Sequence, residues 1–200
     1  ENLCLVCKHD LPETYFWDYE VNPTEKLFWG RIPVEAACSF LHFEQGEVVQ
    51  ELMHRLKYEG KTGVGTELGK MFGETLKEKG WFADVDMVIP VPLHITKEAR
   101  RGYNQSRFIA DGLAEILETK SRNDILWRVI ASETQTRKSR YQRTENVTSV
   151  FKVEKRNSVK GKNILLVDDV VTTGATLTAA GAELVSAGVN RLYIATLAVA

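Results

Sequence analysis

Apolar residues recur at helical spacing through VVQELMHRLKYEG, where Val48, Leu52 and Leu56 fall on one stripe that Gly60 closes. A second helix is predicted through TELGKMFGETLKEKG, stopped by Gly80, and a third through SRFIADGLAEILE, with Phe108, Leu113 and Leu117 on its apolar face. Between these the period changes. DMVIPVP is a short apolar run ended by prolines, a buried strand with a loop behind it, and WRVI at residues 127–130 is a second short strand. ILLV and RLYIATLAVA are uninterrupted strands on either side of a small-residue helix, ATLTAAGAELVSAG, with Gly188 beyond it. Strand–helix–strand alternation with continuous aliphatic strands predicts an α/β fold, a parallel sheet flanked by helices on both faces.

Residues 1–45 break this pattern. They carry Pro12, Pro23 and Pro33 and no sustained period, so they are expected as loops and short pieces. The expected organisation is thus a small irregular N-terminal segment, 1–45, and an α/β domain, 46–200. At 200 residues the chain has room for one good-sized domain with such an appendage.

Composition narrows the setting. Apolar residues make up 44% and charged residues 26%, ordinary for a globular protein, and no apolar run approaches the length of a membrane span. A formal charge of −1 predicts no global attraction to nucleic acid or membrane, so electrostatic function has to be local. Three cysteines, Cys4, Cys7 and Cys38, form no regular framework, which points to a reducing compartment, the cytoplasm. The chain begins at Glu1, and further sequence is expected upstream of it.

Candidate chemistry concentrates in ILLVDDVVTTGAT, residues 164–176. Ligands of open α/β sheets bind beyond the carboxyl ends of the strands, and Asp168 and Asp169 are predicted there. The turn that follows leads straight into a helix and offers backbone N–H groups, a positive dipole end and threonine hydroxyls, all suited to a phosphate monoester. Gly174 permits close approach of the backbone. The two carboxylates suit sugar hydroxyls or a nearby divalent cation. Singly, these residues are equally well explained as turn formers and a helix cap; their conjunction favours a ligand. Two other patterns fail. Gly60-Lys61-Thr62 imitates the end of a P-loop, but Arg55 stands where its first glycine belongs. Gly63-Val64-Gly65 begins a dinucleotide fingerprint that Leu68 interrupts.

ILLVDDVVTTGAT resembles the PRPP-binding signature of type I phosphoribosyltransferases. Three further stretches, LMHRLKYEG (52–60), VIPVPLHITKEARRGYNQS (88–106) and the segment 134–151 with Gln142-Arg143 and Asn146-Val147, make the chain similar to the competence protein ComF family, also called GntX or amidophosphoribosyltransferase-like. That resemblance implies the type I phosphoribosyltransferase fold, with Asp168 and Asp169 at the ribose hydroxyls and Thr172, Thr173, Gly174, Ala175 and Thr176 around the 5′-phosphate. It places a pyrophosphate loop after Pro90-Val91-Pro92, where Lys97, Arg100 and Arg101 supply positive charge beside Mg²⁺. It makes residues 134–144, with Arg137, Lys138, Arg140 and Arg143, a lid over the site, and Arg143 joins the acid pair as a candidate catalytic residue. Tyr103 and Asn104 are expected to set the loop and the next helix rather than touch substrate, while Lys57 and Lys61 match the family pattern without an assigned contact.

The spacing Cys4-Leu5-Val6-Cys7 lets two thiolates face one zinc ion, half of a tetrahedral site. In the resembled family such knuckles are paired, so the partner pair is expected upstream of Glu1; unligated, reduced cysteines explain the spacing equally well. Two functions follow. One is an enzyme that transfers a phosphoribosyl group from PRPP, with Mg²⁺, to an amine or nucleobase. The other is a non-enzymatic competence factor that binds PRPP, a nucleotide or single-stranded DNA beside the DNA-uptake machinery or a helicase. A glutamine-dependent amidotransferase is disfavoured, because the chain has neither a leading cysteine nor room for a glutaminase domain.

Overall fold

A computed structural model describes residues 3–44, 48–129 and 149–200, with the backbone alone at Leu5 and Val6. In chain order these form α1 (Leu5–His9), a 3-10 turn (Phe16–Asp18), α2 (Pro23–Lys26), β1 (Ala36–His42), α3 (Val48–Tyr58) and α4 (Thr62–Glu78). Then come β2 (Met87–Pro90), α5 (Ile95–Arg101), α6 (Gln105–Ile116), β3 (Lys120–Ser121) and β4 (Leu126–Arg128). The chain finishes with β5 (Phe151–Val153), α7 (Arg156–Val159), β6 (Asn163–Val171), α8 (Ala175–Ser186) and β7 (Arg191–Val199).

Five strands make one parallel sheet in the order β1-β7-β6-β2-β3. The chain steps from β2 outward to β3 in one direction and from β6 to β7 in the other. The order therefore reverses between the neighbours β2 and β6, and a crevice opens beyond their carboxyl ends, the usual ligand position in open α/β sheets. Both faces are covered, as the aliphatic strands require. On one face Leu56, Leu68, Phe72, Ile109 and Leu113 pack against Leu165 and Val167, with Phe40 and Phe72 stacked at 5.0 Å. On the other, Leu177, Ala180 and Leu184 of α8 join Phe151 against Ile164 and Leu166.

α4 and α6 meet backbone to backbone. A methyl group on Gly69 would stand 2.4 Å from the Ile109 carbonyl oxygen, and one on Gly112 would stand 2.2 Å from that of Thr66. Glycine is the residue that permits this approach.

The irregular start holds more order than its prolines suggest. Ala36–His42 is an edge strand, pairing with β7 from Ala36↔Tyr193 to His42↔Val199. Leu11, Phe16 and Trp17 ahead of it are buried in the same core as Leu52 and Phe72. The division drawn at residue 45 thus falls between two stretches that share one sheet and one core. The stretch after Pro92 is likewise a helix, α5, capped by the His94 side chain accepting from the Thr96 N–H and closed by Gly102 at φ 89°. β4 leaves the main sheet and pairs antiparallel with β5. Residues 130–148, which include Arg137, Lys138, Arg140 and Arg143, lie outside the described residues. Among those described, no helix is long and apolar enough to cross a membrane.

Candidate functional site

The site is built where β6 outruns β2. Pairing to β2 stops at Pro90↔Val167, with the Val91 N–H donating to the Val167 carbonyl at 2.8 Å, while pairing to β7 continues to Val171↔Val199. Asp168 and Asp169 therefore do not follow the strand, as their polarity suggests. They lie within it, where one flank has lost its neighbour.

The residues that follow make a cradle. Thr172, Thr173, Gly174, Ala175, Thr176 and Leu177, with Asp168, line a cavity of about 50 Å³. Gly174 stands at φ 72°, and a methyl group on it would meet the Phe28 ring at 3.2 Å. The first helical bond of α8 runs from the Thr178 N–H to the Gly174 carbonyl at 2.8 Å, so the N–H groups before it have no acceptor within the helix. The Ala175 N–H reaches the Thr173 hydroxyl at 3.4 Å. Arg31, from the N-terminal segment, donates to the Thr173 carbonyl at 2.7 Å and braces the turn from outside. The five residues 172–176 thus converge on one small cavity.

The two carboxylates differ sharply. Asp168 is partly exposed, borders the cradle, and its Oδ1 accepts from the Ser106 hydroxyl and the Asp169 N–H, both at 2.9 Å. Desolvation, and next the charge of Asp169, push its carboxyl well above the ordinary range. Asp169 is buried, and its Oδ2 meets the Lys57 ammonium at 2.6 Å and the Gln105 amide at 3.0 Å, while Oδ1 accepts from the Val170 N–H at 2.8 Å.

Helix α6 delivers both amide and hydroxyl. Its cap, Asn104, accepts from the Ser106 N–H at 3.1 Å and donates to the Val91 carbonyl at 2.9 Å, which ties the loop after β2 to the helix start. Tyr103 donates to the Leu56 carbonyl at 2.6 Å, so it also sets structure. Of the basic residues expected around a pyrophosphate, Arg101 hydrogen-bonds the Gln105 side-chain oxygen and is thereby linked to the acid pair. Lys97 and Arg100 lie on exposed positions of α5. Lys57, Gln105 and Ser106 were not singled out by sequence as contacts of the acid pair; the basic residue in KYEGK and the polar pair after the Asn104 cap were their only signals.

At the other end of the chain, Cys4 and Cys7 bring their sulfurs to 3.3 Å. The hydrogen bond between the thiols raises the pKa of Cys7. Among the described residues no group of three or more His, Cys, Asp or Glu side chains converges as a metal site. Cys38 is a buried strand residue whose thiol burial pushes up to about 12.

The chain belongs to the phosphoribosyl transferase domain family, which matches residues 100–199. It is similar to Competence protein F of Haemophilus influenzae, 28% identical over 156 residues that cover 76% of this chain and 68% of that protein. It is 31% identical over 138 residues to Competence protein ComFC of Bacillus subtilis, covering 68% of this chain and 52% of that one, so it spans only about half the length of this relative. These relatives bear out the ComF resemblance. The glutamine phosphoribosylpyrophosphate amidotransferase of B. subtilis, solved with ADP and GMP, superposes with a TM-score of 0.50 at 21% identity, over 72% of this chain and 30% of that one. The likeness is one of fold: a parallel sheet flanked by helices.

Proposed function

From membership of that family we propose that the crevice binds 5-phosphoribosyl 1-pyrophosphate and that the protein transfers its phosphoribosyl group to an amine or nucleobase nitrogen. The observation that carries this reading is the shared cavity: an anion cradle and a carboxylate border one space at the reversal of the sheet order. The 5′-phosphate takes the N–H groups and hydroxyls of residues 172–176, and the ribose hydroxyls donate to the acid pair, foremost to Asp168. The bond from C1 to pyrophosphate breaks as the acceptor nitrogen bonds to C1 and gives up its proton. The work is electrostatic, with Arg101, linked to the acid pair through Gln105, and the exposed Lys97 and Arg100 of α5 offered to the leaving group. Arg143, the remaining catalytic candidate, is proposed on the family resemblance alone.

Mg²⁺ would be held together with the substrate's phosphates beside Asp168, the carboxylate that borders the cradle, a hard oxygen donor of the kind this ion takes. When bound it neutralises charge on the departing pyrophosphate. Cys4 and Cys7 are proposed as two of the four donors of a zinc ion, consistent with their 3.3 Å separation.

The relatives named for competence favour a second reading, in which the same pocket holds PRPP or a nucleotide as a signal, or the protein handles single-stranded DNA during uptake. One experiment separates the two. PRPP with Mg²⁺ is titrated calorimetrically, and pyrophosphate release is then followed with a panel of bases and amines. Binding with release supports transfer; binding without release for any acceptor supports the second reading. Turnover retained in Asp168→Asn/Asp169→Asn overturns the roles given to the acid pair.

A further inference from the structure

The acid pair is adjacent in sequence but divided in space. Successive residues of a strand point to opposite faces. Asp168 borders the cradle and takes the Ser106 hydroxyl from α6, whereas Asp169 does not border it and takes Lys57 from α3 and Gln105 from α6. Both oxygens of Asp169 are engaged, by Lys57 and Gln105 on one and by the Val170 N–H on the other. We propose that Lys57 is a positioning residue of the ribose site, holding the Asp169 carboxylate in an ion pair so that its charge is compensated beside Asp168 when the ligand binds. This rests on the phosphoribosyl reading above.

The delivery of Lys57 is built rather than incidental. It stands in the last turn of α3, next to Leu56, whose carbonyl takes the Tyr103 hydroxyl at 2.6 Å. On its other side the Arg101 guanidinium lies 5.4 Å from the centre of the Tyr58 ring. The α5–α6 turn therefore grips the end of α3 on both sides of the lysine. The lysine side chain is 24% exposed and the aspartate's 10%, so the pair is largely withdrawn from water. An ion pair in that position adds little over an apolar pair of the same shape, but removing one partner strands the other charge. A dianionic phosphate and a pyrophosphate would then approach an uncompensated Asp169 charge.

The prediction is a pattern across four proteins: the full chain, Lys57→Met, Asp169→Asn and the double variant, each titrated calorimetrically with PRPP and Mg²⁺. Lys57→Met weakens binding by roughly tenfold or more, and adding Asp169→Asn recovers most of that loss because the stranded charge is gone. If the two losses multiply in the double variant, Lys57 acts on the ligand directly and the proposal falls. It also falls if Lys57→Met lowers the melting temperature while affinity stays in place, which marks an anchor for α3 and nothing more. Should Lys57→Met not fold, the charge-balanced double variant decides: affinity near that of Asp169→Asn upholds the proposal, and a further large loss overturns it. No binding by the unmodified chain overturns the phosphoribosyl reading, and the proposal with it.

Discussion

The two ends of the parallel sheet each carry a pair of acids, and Asp168 at one end is treated in the opposite way to Asp84 and Asp86 at the other. At the amino end, Asp84 accepts from the Tyr193 hydroxyl at 2.8 Å, Arg191 at 2.8 Å and the Asn163 amide at 2.9 Å. Asp86 accepts from the Asn163 N–H at 2.8 Å and from Lys162 at 3.1 Å. The Asn163 N–H, and next Lys162, lower the Asp86 pKa. At the carboxyl end Asp168 is raised by desolvation and by its neighbour's charge. An acid whose partners stabilise its ion fastens strands together. One whose partners are neutral, as the Ser106 hydroxyl and the Asp169 N–H are, is left uncompensated beside the cradle.

The contrast breaks most decisively at the cradle. Gly174→Ala places a Cβ at positive φ, a strain of about 1–2 kcal/mol, and presses it on Phe28. Disordering the N–H groups aimed at the phosphate is expected to weaken PRPP binding by roughly a hundredfold, read by calorimetry. Asp168→Asn comes next, with affinity falling roughly tenfold as one carboxyl oxygen is replaced by an amide donor. Arg31→Ala removes the brace on the Thr173 carbonyl and is expected to cost about threefold in the same titration.

The smallest effect, and the sharpest test of the comparison, is in the sign of pH dependence. Because the Asp168 pKa is raised above its ordinary 3.8, its contribution favours the fold at low pH and is lost as pH rises toward the raised value. Melting temperatures of the ligand-free protein should therefore gain on the alkaline side when Asp168 is replaced by Asn. Asp86 is lowered from 3.8, so its contribution is present above the ordinary value and is lost as pH falls through the lowered one. Asp86→Asn should thus remove stability near neutral pH, lose that deficit in acid, and leave PRPP affinity in place.

Much of this was legible in the chain itself. The run ILLV followed by acids, threonines and a glycine located β6, the turn and α8, because burial on both faces demands continuous aliphatics and the turn demands glycine. Gly60 and Gly80 marked the ends of α3 and α4, and both adopt positive φ, 70° and 73°. β1 was hidden because AACSFLH has no alternation and few β-branched residues; its extended form comes from pairing with β7, at the far end of the chain. α5 was hidden because all its residues are exposed or only partly buried, so no apolar stripe betrays it. The partners of the acid pair were hidden for a third reason. Lys57, Gln105 and Ser106 look like ordinary polar helix positions, and only the crossing of α3, α6 and β6 brings them to Asp168 and Asp169.

The glycine contact between α4 and α6 gives the crevice its mechanical tolerance. With no side chain between the two backbones, α6 has no slack in the direction of α4, and its first turn carries both Ser106 and Gln105 to the carboxylates. A single methyl group at Gly112 would act as a shim. It would tilt or lift the helix and misalign Ser106 and Gln105 against the two carboxylates without altering any residue of that contact.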